Sequence, residues 1–459
     1  MSAAISRRRA LALGAGAAAA AASSGCSAQK WGARSSAGTT KHLTYALWDA
    51  NQQVGYQKSI DVFQRMHPNI RVTIQQIPYG SYQAKINAEF ISGEAPDLFW
   101  VNTPFLADWI QRGILADITD RVSAAGIDLS IYYPALVALH RRDGRLYGLP
   151  KDWDTIAFYY NKTLTKKRKV EVPESLTWHP YGSGTFTPFL QQLTIDRRGR
   201  DAATTGFDPR HVTTYATSIY NDLQAGFGSF LAMNGGGVLA RPYDQETVLT
   251  SARNAETMTW LTQTLRSQHV LIPADSIGLN ANGAALSSLF AQGVVATYLA
   301  GDWNTNSLYQ LTQGGSGLEV GVLPLPSGPQ GRISVFNGLT DGVNAHSNHP
   351  DEAWLLAQWL AGPESQTIMG SGGYIWPAIR SLDPLFLKYW ESKGIDVSPF
   401  LDEATGKTIN FPVSEGMGNA ITNIQTTLGP VFLGTASPAA GLASAKRIAD
   451  YNLSNAAKY

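Results

Sequence analysis

Residues 152–154 read Asp-Trp-Asp, the densest local grouping of acid and ring in the 459-residue chain. In an extended segment the side chains of Asp152 and Asp154 point to one side and that of Trp153 to the other. A second such grouping is Gly301-Asp302-Trp303, and a third places Trp48 three residues before Asn51. Asn102, Tyr82, Asn337 with Gly338, Tyr374 with Trp376, and Glu415 complete the set. Flat rings beside planar acid or amide groups suit one chemistry in particular. The rings stack on the apolar faces of a sugar, and the acids and amides bond its hydroxyl rim. Carboxylates drawn from Asp152, Asp154, Asp302 and Glu415 would also suit a glycoside hydrolase or lyase, which needs two at a fixed separation. Each residue has a plainer reading as well: a helix cap for Asn51, turn chemistry for Asn102, helix-start packing for Tyr82, and backbone hinge material for Gly338.

Other chemistries are excluded or unsupported. Gly406-Lys407-Thr408 imitates the end of a phosphate loop, but Leu401 stands where the first glycine is required. The 8 histidines have no ligand spacing, and the single cysteine cannot help them hold zinc. No metal and no cofactor is expected. Asp196, Asp201 and Asp208 lack the spacing of a calcium loop and read as a polar surface turn. A net charge of +1 argues against nucleic acid, which calls for clustered Lys and Arg.

The elements that must position these residues follow from pattern. A strand over 43–48, a helix over 56–66, a strand over 70–77, a helix over 82–92 and an apolar run over 98–101 give β-α-β-α-β, an α/β lobe with right-handed crossovers. Ligands of such lobes bind beyond the carboxyl ends of the strands, where Trp48, Asn51 and Asn102 fall. Two short strands flank the polar bridge at 152–154. Residues 176–212 read as a surface excursion. Helices are predicted over 215–234, 246–268, 283–292, 350–360, 416–427 and 442–453, and strands over 294–299 and 320–326. With 44% hydrophobic and 15% charged residues, 459 residues predict two well-buried domains.

Residues 1–25 read as a leader: Arg7-Arg8-Arg9 forms the charged region and residues 11–22 a short apolar one. The paired arginines suggest the twin-arginine route. Cys26, following Ser23-Ser24-Gly25, resembles the lipobox cysteine that becomes a lipidated N-terminus, although Ser23 replaces the usual Leu. Residues 26–40 then form a flexible tether.

In order and spacing, several stretches resemble family 1 of the extracellular solute-binding proteins of ABC transporters, the maltose-binding-protein-like receptors. They are Phe63-Gln64-Arg65-Met66-His67-Pro68, Gly93-Glu94-Ala95-Pro96-Asp97-Leu98, Asp143-Gly144-Arg145-Leu146-Tyr147-Gly148-Leu149-Pro150, Tyr160-Asn161-Lys162, Phe290-Ala291-Gln292-Gly293 before Gly301-Asp302-Trp303, and Gly342-Val343-Asn344-Ala345. The resemblance spans 43–453. It implies a two-lobed, type II-like periplasmic-binding-protein fold with about three hinge crossings, near 152–156, 335–340 and 385–390. Lobe 1 would comprise 41–153 with 338–385, and lobe 2 would comprise 156–335 with 388–459. It further implies a carbohydrate ligand in the cleft, closure of the cleft, delivery to permease subunits, a monomer, and a place on the outer face of the cytoplasmic membrane. By the same resemblance Asp154 is a ligand-binding acid, Trp303 a stacking ring, and Glu415 a late polar contact.

Overall fold

The computed structural model describes residues 39–277, 283–314 and 317–456. The expectations for the leader, Cys26 and the tether as far as residue 38 lie outside them. The first lobe opens with β1 (Lys41–Leu47), α1 (Ala50–Met66), β2 (Ile70–Gln76), α2 (Tyr79–Ser92), β3 (Leu98–Val101) and α3 (Thr103–Gln111). The Asp49 carboxylate caps α1 by accepting from the N–H groups of Asn51 and Gln52. Gly93, at φ 76°, ends α2 in the left-handed conformation that glycine adopts without penalty. β1 pairs in parallel with β2 and β3. β3 is wholly apolar and buried, as a strand covered on both faces must be. The fourth strand, Thr340–Val343, arrives from far along the chain and pairs antiparallel with β3.

The second lobe is built on β4 (Ile156–Asn161), β5 (Val212–Ser218), β6 (Val295–Gly301) and β7 (Val320–Leu323), in the order β7-β4-β6-β5 with the short strand Ile195–Asp196 outermost. The helix predicted over 215–234 is corrected here. Residues 212–218 read Val-Thr-Thr-Tyr-Ala-Thr-Ser, and this β-branched run pairs in parallel with β6. Helical structure begins at a π-helical turn, Leu223–Phe227, capped by Asp222. Lys407–Asn410, which imitates a phosphate loop in sequence, is a strand beside Ile333–Phe336.

The surface excursion expected over 176–212 is corrected: Phe186–Leu193 is a helix whose Phe186, Phe189, Leu190 and Leu193 enter the second-lobe core. After it, the buried Asp196 carboxylate accepts from the N–H groups of Arg198, Arg200 and Asp208 and from the Arg200 guanidinium. Burial pushes this carboxyl up, but those donors outweigh it and hold the group well below the usual carboxylate range. Its acceptor capacity is already taken by the loop. Among the described residues, no group of three or more His, Cys, Asp or Glu could hold a metal ion.

Each lobe has its own apolar core. A third core lies where the lobes meet and includes Tyr132, Leu136, Trp153, Tyr159, Tyr298, Phe336, Trp376 and Phe386. Around it the chain crosses between the sheets. Asp154 and Asn337 exchange backbone hydrogen bonds of 2.8 and 3.1 Å. Asp152 pairs with Pro377 and Pro150 with Thr340. Gly338 fits here because a side chain would strike Leu136 and the carbonyl of Asp152.

Candidate functional site

The wall on the first lobe starts at Trp48, the residue after β1. Its ring stands edge-on to Trp100, Tyr82 and Tyr79 at 4.7, 4.9 and 5.4 Å. Such edge-to-face contacts fix ring orientation. Behind Trp100 lies Lys151, fully buried, with Nζ 3.5 Å from the Trp100 ring centroid and 3.7 Å from Asp341 Oδ1. Nζ also donates to the Tyr56 hydroxyl at 3.1 Å. Tyr79, just before the first turn of α2 has formed its bonds, keeps 51% of its surface open.

The floor is made at the N-terminus of α3 and at the second crossing. Asn337 Nδ2 donates to Asn102 Oδ1 at 3.0 Å, and Thr103 Oγ1 donates to Asn337 Oδ1 at 2.6 Å. Asn102 Nδ2 reaches the Tyr79 hydroxyl at 3.4 Å. On the far side Asp154 Oδ1 accepts from Gln224 Nε2 at 2.7 Å. Gln224 sits in the π-helical turn capped by Asp222. Recession between the two walls pushes the Tyr79 hydroxyl up to about 12, and Asp222 and Asp154 add to the effect. The Tyr79 hydroxyl of the first lobe therefore looks across at carboxylates of the second.

Asp302 and Trp303 follow β6. Because Ile156 pairs with Gly301, Asp302 falls beside Thr155 and next to Asp154, and the Trp303 ring lies over Gly301, where a side chain would have no room. Burial raises the carboxyls of Asp154 and Asp302 well above the ordinary range; repulsion from Asp152 raises Asp154 further, and repulsion from Asp154 and Asp152 raises Asp302 further. Asp152 is pushed up to about 6 by burial, against the pull of Lys151.

The lobes also touch at both rims. Asn51 Nδ2 donates to Ser307 Oγ at 3.1 Å. On the other side Arg142 Nη1 pairs with Glu415, and the Arg142 guanidinium lies 4.6 Å from the Tyr243 ring centroid. Nearby, the Gly416 N–H donates to Asp108 at 2.6 Å. The cleft is thus bridged on either side of its floor.

Ring contacts and hydrogen bonds tie Trp48, Tyr79, Asn102, Asn337 and Asp154 together, with Asp302 beside Asp154, while the half-buried Trp303 ring packs over Gly301 against the second-lobe core. The structure sets Asn51 and Glu415 at the rims as lobe-to-lobe contacts. Several expectations are corrected. Tyr82 is interior, its hydroxyl donating to the carbonyls of Ala46 and Trp100. Trp153 is 1% exposed and packs on Trp376 at 4.4 Å in the hinge core. Trp376 is equally buried, and its Nε1 donates to Asp383 at 2.8 Å. Gly338 and Asp152 serve the hinge backbone; Asp152 Oδ1 accepts from the Leu339 N–H at 2.8 Å. Tyr374 sits against α1, accepting from Lys58 Nζ at 2.7 Å. Residues the sequence reading missed are Tyr79, Asp222, Gln224 and Arg142. Only Tyr79 carried a signal, as an aromatic beside Pro78 at a strand-to-helix turn.

Two α/β lobes, a floor of crossing strands and a groove of rings, amides and acids define a two-lobed binding protein. The chain belongs to the family of bacterial extracellular solute-binding proteins, whose model matches residues 49–367. It is 23% identical over 428 residues to the galactooligosaccharide-binding protein of Bacillus subtilis, covering 90% of each chain. It is 22% identical over 418 residues to that organism's arabinooligosaccharide-binding protein, covering 89% of this chain and 86% of the other. In structure it is similar to UspC of M. tuberculosis, with a TM-score of 0.72 and 28% identity over 90% of this chain and all of that one. It also resembles an ABC substrate-binding protein of Listeria monocytogenes in complex with cycloalternan, with a TM-score of 0.76 and 19% identity over 90% and 99% of the two chains.

Proposed function

We propose that this chain is the extracytoplasmic receptor of an ABC-type importer and that it binds a carbohydrate, an oligosaccharide by preference, between its lobes. One observation carries the reading. Trp48 and Tyr79 on one wall face Asp154 and Gln224 on the other, across amides held by the hinge. Rings offer stacking surface and the planar groups offer hydroxyl partners, in a concave site with few polar groups. The curated relatives named for galacto- and arabinooligosaccharides support the sugar class. In this reading the carboxylates bind and do not catalyse, and the lobes divide as 41–153 with 338–385 and 156–335 with 388–459. Closure over the sugar would present a joined surface to permease subunits, a hinge-type switch. Export on the leader and lipidation of Cys26 would hold the receptor at the outer face of the membrane as a monomer. Calorimetric or tryptophan-fluorescence titration with a panel of mono- and oligosaccharides tests the reading. Saturable binding of at least one sugar is expected, and silence across the whole panel overturns it.

A further inference from the structure

Seven carboxylates of the described chain are buried: Asp152, Asp196, Asp302, Asp341, Asp383, Glu403 and Glu415. Six of them have a cation at hand. Lys151 serves Asp341 and acts on Asp152, Arg200 serves Asp196, Arg332 serves Glu403, Arg142 serves Glu415, and Arg380 acts on Asp383. This is what the cost of a lone buried charge demands. Asp302 is the exception. It is 5% exposed, its Oδ2 is buried without a hydrogen-bond partner, and the charges that act on it are Asp154 and Asp152, both negative. Asp154, beside it in the groove, joins no ion pair either; its partners are the neutral amides of Gln224 and Asn337. A chain that neutralises its other buried acids leaves uncompensated the pair at the carboxyl end of β6, where ligands of an α/β lobe sit.

We propose, building on the receptor reading above, that the guest is an amine-bearing sugar and that its ammonium group is the missing cation, received by Asp302 and Asp154. An ammonium has three donors, enough for the free Oδ2 of Asp302 and an oxygen of Asp154, and charge-assisted bonds of this kind are the strong ones. Burial and the neighbouring acids raise the proton affinity of both carboxyls, and a bound ammonium lowers it again. Binding of the amine is therefore expected to release protons, and binding of a neutral sugar is not.

The test uses three disaccharides that share one β1,4 skeleton: cellobiose, its diamine counterpart chitobiose, and N,N′-diacetylchitobiose. They are titrated calorimetrically into the mature protein in buffers of different ionisation enthalpy, at a pH where the amines are protonated. A parallel series compares glucosamine and galactosamine with glucose and galactose. The expected result is an amine advantage of at least about tenfold over the neutral partner, lost on acetylation and accompanied by proton release. In D302N and D154N, each near-isosteric and checked for folding by circular dichroism, the ratio of amine to neutral affinity falls toward one. Equal affinity for amine and neutral members overturns the proposal while leaving the receptor reading intact, as does an advantage that survives both substitutions. Failure of every sugar to bind overturns both.

Discussion

Arg142 of the first lobe pairs with Glu415 of the second, at the rim of the groove and remote from it in sequence. Glu415 is 4% exposed and also accepts from Gln245 Nε2 at 3.2 Å, while the Arg142 guanidinium covers Tyr243. Arg142 is therefore the first-lobe group that covers an acid and a ring of the second lobe, while the amide of Gln245 holds the same acid from within the second lobe.

Replacing Arg142 with Ala should penalise the closed form alone. It leaves Glu415 buried beside a neutral amide, a cost of about 1–3 kcal/mol that opening relieves. Small-angle scattering of the ligand-free variant should show a larger radius of gyration than wild type, and sugar affinity should fall. An unchanged scattering profile and unchanged affinity would mean that the pair does not hold the lobes together.

Trp303→Ala and Trp48→Ala should each weaken sugar binding by about 1–3 kcal/mol. Both should also lower the stability of the empty protein, because the Trp303 ring borders the second-lobe core and the Trp48 ring is wedged against Trp100 and Tyr82. Titration and thermal melts of both variants separate the two effects.

Trp153→Ala should behave in the opposite way. It empties the hinge core between Trp376 and Phe336, and a truncated buried Trp costs about 3–5 kcal/mol of stability. Denaturant melts should shift strongly. A variant with native stability but no sugar affinity would return Trp153 to the ligand.

Burial pushes Glu403 up from 4.5 to about 7, against Arg332 and the Leu325 N–H. The folded chain then holds more protons than the unfolded one between those values. Stability supplied by this group is fully present below pH 4.5 and is lost as pH rises to about 7. The loss is on the order of 3 kcal/mol. Glu403→Gln keeps the acceptor for Leu325 and should flatten this part of the stability–pH curve, measured by urea melts across the window.

Cys26→Ser should release the exported protein from the membrane fraction. A variant that still sediments with membranes would rule out lipidation at that cysteine.

The first lobe was largely legible. Period-2 and period-3.6 patterns in 43–101 alternate cleanly, and the ends of those strands pointed to Trp48 and Asn102. The groove was legible only in part. Asp-Trp-Asp at 152–154 shows in sequence that the acids and the ring part company. Which side meets the groove is decided by Phe336 and Trp376, which pack on Trp153 only in the folded chain, with Phe386 behind Trp376. Gln224 and Asp222 lay hidden because the stretch around them reads as an ordinary apolar helix, and the π-helical turn that aims Gln224 at Asp154 has no pattern of its own. Arg142 looked like one more surface charge, since nothing local announces a partner at Glu415.

The hinge core has a consequence for how the molecule comes apart. Trp153 and Trp376 share one aromatic cluster with Tyr159 and Tyr298, residues of strands in the second sheet. Neither half can melt without exposing rings that the other half also buries. Despite its two sheets, the receptor should unfold calorimetrically as a single cooperative block, with one heat-absorption peak and no half-folded species for proteases to find.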